Sequence, residues 1–220
     1  MAAKKTETLE VRSVEIERVS ISIVGDSPLI VHAWSEKAKR QMLEAQMKAT
    51  KTKGHDPKNP VEDFINSLYW VGQKPTDYTE EAFAAAVEAG AQWGFPVTAI
   101  KQAAASGGFR SGALKDRMGI RGSFFIEGVQ VGGDTLAVIE GPAPVMREDM
   151  VKVGMGTADL RYRGMFESWR MNLTISYNKN GPISLEQIVN LINLGGYMVG
   201  IGEWRPERDG QYGMFHVAAS

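Results

Sequence analysis

The stretch from Gly195 to Val217, GGYMVGIGEWRPERDGQYGMFHV, places six glycines in twenty-three residues. Glycine accepts positive φ and lets another backbone come close, so this segment reads as a loop with special geometry. A helix is predicted before it, Ser184 to Leu194, with Leu185, Ile188, Val189 and Ile192 at helical spacing. A short strand-like run, Met214 to Ala218, follows it. Trp204, Arg205, Arg208 and Tyr212 stand between the glycines. Such a loop suits close contact with an extended polymer. It equally suits a tight turn in which Trp204 joins the core and the arginines pair with Glu203, Glu207 and Asp209.

The chain has 220 residues, 43% hydrophobic and 23% charged, enough for a sizeable core in one domain with an inserted lobe. It has no cysteine, which excludes disulfides and thiolate metal sites and fits a reducing compartment. No apolar run reaches membrane-spanning length, and MAAKKTETLEV lacks the apolar segment of a signal peptide. A cytoplasmic protein without membrane contact is expected, in the host cytoplasm if the source is a phage.

A formal net charge of −1 hides segregation. Residues 37–58 carry seven basic and two acidic side chains, 60–93 one basic and six acidic, and 101–121 five basic and one acidic. Such blocks can form a basic face for a polyanion or attract one another between subunits. Homo-oligomers are therefore expected.

The chain opens with a period-two run, Val11 to Val24, in which Val19, Ile21 and Ile23 alternate with Ser20 and Ser22. Leu29-Ile30-Val31 is a short apolar run, and Ser35 can cap a helix to about Ala49. Asn59-Pro60 and Thr79-Glu80-Glu81 start further helices. A third is expected from Pro96 to Ala105, stopped by Ser106-Gly107-Gly108. From Ser123 strands take over, at 124–126, 136–139 and 173–177. Between the last two, 146–170 reads as a protruding loop or hairpin. The plan is α+β: a single domain over 1–220, with a helical lobe at 35–110 and the main sheet in 123–220. Strand 170–177, helix 184–194 and strand 214–218 make half of a split βαβ unit.

The last loop resembles the glycine-rich signature of the RAMP superfamily, the ferredoxin-like repeat-associated proteins that include CRISPR backbone subunits. Gly200-Ile201-Gly202 stands for its Gly-hydrophobic-Gly, Arg205 and Arg208 for its basic spacer, and Gly210-Gln211-Tyr212-Gly213 for its Gly-x-Gly. The spacer is longer than usual and the ending has one residue more. The resemblance covers about residues 170–218. It implies a ferredoxin-like, RRM-like antiparallel sheet and binding of single-stranded nucleic acid by subunits lined up on the strand. The residues are compatible with this: arginine forks contact phosphate, aromatic rings stack on bases, and loop N–H groups approach phosphate oxygens.

Two further stretches are candidates. Arg161-Tyr162-Arg163 would place two guanidiniums on one strand face, to meet an anion or to pair with Asp159 and Glu167 across a subunit contact. Arg110, Lys115, Arg117 and Arg121 lie in a glycine-containing basic run, either a phosphate-binding loop or a solvated one. His32 lies where some RAMP endoribonucleases carry a histidine, although beside Trp34 it also reads as structural. No metalloprotease, nucleophile-elbow or Walker pattern occurs, and no cofactor or metal is expected. The expectation is a non-enzymatic protein that binds single-stranded DNA or RNA as an oligomer. A virion or filament subunit and a RAMP-like endoribonuclease are the alternatives.

Overall fold

The computed structural model describes residues 13–34, 58–153 and 157–219, with positions 39, 42, 43, 46 and 47. Most of the helix expected over Ser35 to Ala49, and most of the basic block 37–58, lie outside the described residues; positions 39, 42, 43 and 46 are helical. The elements run β1 (Ile16–Gly25), β2 (Leu29–Val31), α1 (Pro60–Ser67), α2 (Glu80–Glu88), β3 (Gly94–Pro96), α3 (Val97–Arg110), α4 (Arg117–Ser123), β4 (Phe124–Glu127) and β5 (Val129–Val131). They continue with β6 (Asp134–Glu140), β7 (Val145–Val153), β8 (Thr157–Phe166), β9 (Arg170–Asn178), α5 (Leu185–Met198), a 3₁₀ turn (Pro206–Arg208) and β10 (Phe215–Val217).

The fold is α+β with antiparallel sheets. The larger sheet runs β10-β1-β9-β6-β3, with β4 also on β9 and β5 on β6. The first strand therefore lies between the last strand and β9, with Val19 opposite Ile175 and Ile23 opposite both Met171 and Val217. Along β9 the alternate residues Met171, Leu173, Ile175 and Tyr177 are buried. They join Ile100, Ala103 and Ala104 of α3 and Ile188, Leu191 and Ile192 of α5 in one core. The intervening side chains form a polar face. There Arg18 donates to Glu127 at 2.6 Å, Ser22 to Asn172 at 2.5 Å and Asn172 to Glu140 at 2.6 Å.

Helix starts follow their caps. Asn59 accepts from Val61 and Glu62 N–H, Thr79 from Ala82, Asp116 from Met118 and Gly119, and Ser184 forms a capping box with Gln187. Helix stops differ from expectation. Both α3 and α5 run on through their glycine pairs. A Cβ on Gly107 would lie 2.7 Å from the backbone of Leu194 and Gly195, and one on Gly195 2.5 Å from the Ala104 nitrogen. These glycines are the surfaces through which the two helices touch, not breaks.

The 146–170 stretch forms an antiparallel ribbon, β7 paired with β8 along its length, and β2 adds to β8 to make a separate three-stranded sheet. Gly164 leaves room for Leu68 after α1, and its N–H donates to the Ser67 hydroxyl at 2.8 Å. Phe64, Trp70, Phe83, Trp93 and Phe166 pack edge to face or tilted beside it, tying α1 and α2 to β8. Among the described residues no helix is long and apolar enough to cross a membrane.

Candidate nucleic-acid interface

After α5 the chain turns back over the β1–β2 junction and is pinned by its own backbone. Ile201 N–H donates to Gly213 C=O at 2.9 Å, Glu203 N–H to Ile30 C=O at 2.9 Å, and Gly213 N–H to Pro28 C=O at 2.8 Å. Gly200, Gly202 and Gly213 have positive φ, as do Trp204 and Asp209. A Cβ on Gly202 would stand 2.3 Å from the Ile30 oxygen, one on Gly213 1.8 Å from the Ile201 oxygen, and one on Gly210 1.7 Å from the Trp204 oxygen. The close approach expected toward a ligand is thus made toward the chain itself. What the folded loop offers outward is side chains.

Two ion-pair networks anchor those side chains. In the first, Glu207 receives Arg110 Nη2 at 2.7 Å on one oxygen and Arg205 Nη2 at 2.8 Å on the other, while Arg205 Nη1 donates to Gly202 C=O at 3.0 Å. Burial pushes the Glu207 carboxyl up, but the Arg205, Arg110 and Arg208 guanidiniums outweigh it and bring the group below the usual carboxylate range. Arg208 itself is exposed.

In the second network, Arg147 donates to the Tyr212 hydroxyl at 3.0 Å and to Asp149 at 2.9 Å, and Arg163 donates to the other Asp149 oxygen at 3.0 Å. Arg163 lies 3.7 Å from Glu203, whose second oxygen is 3.6 Å from His32 Nδ1. Burial pushes Asp149 up, and the hydrogen bonds from Arg147 and Arg163 more than reverse it. Beside Glu203, His32 first and then the arginines hold the carboxyl low against burial.

The structure therefore gathers Arg110, Arg205 and Arg208 around Glu207, and sets Tyr212 and Trp204 against the β7–β8 ribbon. Trp204 is 38% exposed. Arg117 lies over the Phe109 ring at 4.7 Å, and Lys115 and Arg121 are exposed around α4. Arg163 is 2% exposed and belongs to the interior. Arg161 faces Asp159 of the same strand at 3.6 Å, a carboxylate that also holds Lys58; this pairing lies within one chain, not across the subunit contact weighed from the sequence. Sequence reasoning missed Arg147 and Asp149. Their i, i+2 spacing on a strand was the available signal, and their partners come from elsewhere in the chain.

Between the loop and α3 lies a cleft of about 200 Å³, lined by His32, Tyr69, Gln102, Glu203, Arg205 and Glu207 among others. Burial, with help from Asp134 and Glu203, pushes the Tyr69 hydroxyl up to about 12, so it remains a proton donor. No cluster of three or more His, Asp or Glu able to hold a metal ion occurs among the described residues. Compared with known proteins, the chain matches no family model and no curated sequence.

Proposed function

We propose that this protein binds single-stranded nucleic acid through the outer surface of its C-terminal loop and the adjoining end of α3, several copies lining up along one strand. The observation that carries the reading is the bridge at Glu207. It joins Arg110, from one basic stretch of the sequence, to Arg205 of another, with the exposed Arg208 near enough to help hold the carboxyl low. Of the three guanidiniums, Arg205 is taken up by Glu207 and the Gly202 carbonyl, while Arg208 is exposed and Arg110 reaches the surface, in a loop that also carries Glu203 and Asp209. Exposed Trp204 lies at the loop and exposed Phe109, with Arg117 over one face of its ring, at the end of α3, and both offer aromatic surface to unpaired bases. A duplex, whose bases are already stacked, gains nothing from those rings.

The strand order supports reading the larger sheet as ferredoxin-like. Last, first, penultimate and inner strands follow one another as β10, β1, β9 and β6/β4, and α3 and α5 occupy the two crossover positions. That order is the one the RAMP resemblance implies. The polar face of the sheet is taken up by its own hydrogen bonds, so the strand is assigned to the loop surface and not to an RRM-like sheet face. The protein is read as a binding module with no reaction of its own.

Polarisation titrations with labelled single-stranded DNA, single-stranded RNA and duplex test the proposal. Single strands should bind with a steep salt dependence, weakened by joint Arg110→Ala and Arg208→Ala. Binding to none of the three ends it. One observation favours the assembly-subunit alternative: Met150 and Leu160, opposite each other on the ribbon, are 73% and 41% exposed. Light scattering that shows stable oligomers without any strand-binding in the titrations would decide for that alternative.

A further inference from the structure

We infer that the cleft beside α3 receives one unstacked base of the bound strand and selects guanine. The inference rests on the strand-binding reading above: Glu207, which Arg110 holds, lines this cleft, so a strand lying on Arg110 comes beside it. At about 200 Å³ the space is below the size of drug-like ligand sites and suits a single flat heterocycle. Phe95 and Ala103 supply apolar wall, and the polar groups are placed on two sides.

The two carboxylates of the cleft are not equivalent. Both Glu207 oxygens are engaged at 2.7 and 2.8 Å by Arg110 and Arg205. Glu203 has no such saturation: its oxygens stand 3.6 Å from His32 and 3.7 Å from Arg163, both longer than a hydrogen bond. It keeps its negative charge, and although His32 and Arg163 hold its two oxygens at these longer distances, each retains lone-pair capacity for a further donor. Tyr69 presents a hydroxyl that stays protonated; its contact to the His32 carbonyl is long, 3.5 Å, and a nearer acceptor can take that hydrogen bond instead. Gln102 makes no side-chain hydrogen bond among the described residues and can turn its amide inward.

A carboxylate with acceptor capacity left on both oxygens matches an edge that offers two adjacent N–H donors. Guanine presents this, N1–H beside its exocyclic amine, with a carbonyl next to them for Tyr69 or Gln102 to donate to. Adenine and cytosine place a ring-nitrogen lone pair beside their amine, which the carboxylate repels. Thymine and uracil flank their single N–H with two carbonyls, repelled likewise. The negative group that would weaken a phosphate site is what makes this a base site.

The test uses oligothymidylates that are uniform, or carry one central guanine, or carry hypoxanthine, which lacks the exocyclic amine. Affinity is read by polarisation for the full chain. The guanine strand should bind about tenfold tighter than the other two. Glu203→Gln should bring the guanine-to-thymine ratio toward one. Because Glu203 also neighbours Arg163, Tyr69→Phe serves as an independent variant, expected to reduce the same ratio, and circular dichroism checks that each folds. Equal affinity of wild type for all three strands overturns the guanine site and leaves the strand-binding reading intact. Equal gains from guanine and hypoxanthine overturn the role of Glu203. Failure of every strand to bind overturns both readings.

Discussion

Arg147 and Tyr212 clasp the ribbon to the C-terminal loop: the guanidinium donates to the phenol oxygen at 3.0 Å and its carbon lies 4.6 Å from the ring centroid. The same arginine serves Asp149, which also holds the interior Arg163. Tyr212→Phe removes one hydrogen bond and should cost about 1 kcal/mol, whereas Arg147→Ala strips a buried carboxylate of one of its two cations and should cost about 3 kcal/mol. Urea unfolding of the two variants checks this order. Equal small losses would show that the clasp is not what holds the ribbon.

Asp149 also gives the fold an acid sensitivity. Its folded-state affinity for protons is lower than in the unfolded chain, so it contributes stability that is fully present above the unfolded carboxylate value, about 4, and is lost as pH falls through the lower folded value. Glu203, Glu207 and Asp159 are depressed in the same direction. Asp149→Asn should be less stable than wild type at neutral pH, with a gap that narrows as the pH drops below about 4. Melting temperatures at pH 3, 4 and 7 read the gap. A gap that widens on acidification contradicts the assignment.

Local signals gave most of the element starts, because a cap satisfies its own helix: Asn59, Thr79 and Ser184 each accept within three residues. Stops were harder. Gly107 and Gly195 look like breaks to any local rule, yet each is required where the other helix presses against it. The site divides the same way. Arg205, Arg208 and Tyr212 were visible from the glycines around them. That Glu207 would bridge to Arg110, and that Arg163 would be interior while Arg147 faced Tyr212, depended on strand and loop pairings between residues far apart in sequence.

Arg205 and Arg208 should separate structure from binding. Arg205 is held by Glu207 and by the Gly202 carbonyl, so Arg205→Ala should lower stability by about 1–2 kcal/mol as well as affinity. Arg208 is exposed, so Arg208→Ala should leave the melting temperature where it is and flatten the slope of log K against log salt by about 0.7 on single strands. An unchanged slope for Arg208→Ala would remove it from the strand's path.

Three glycine-to-alanine changes test whether the loop's glycines serve packing. Gly122 lies in α4 with ordinary φ and open space around it, so Gly122→Ala should stabilise by about 0.5–1 kcal/mol through the lower entropy of the unfolded chain. Gly112 has φ +75° but also open space, so alanine there meets only the left-handed backbone penalty, about 1–2 kcal/mol. Gly213 has φ +65° and a would-be Cβ 1.8 Å from the Ile201 oxygen, a backbone atom of the residue whose N–H holds the Gly213 carbonyl, so relief requires the backbone itself to shift. Gly213→Ala should therefore cost clearly more than Gly112→Ala, about 3 kcal/mol or beyond, with strand affinity falling alongside the fold. Denaturant midpoints place the three in order. If Gly213→Ala kept full stability and lost only affinity, the glycine would be facing the strand, and the packed loop described above would be wrong.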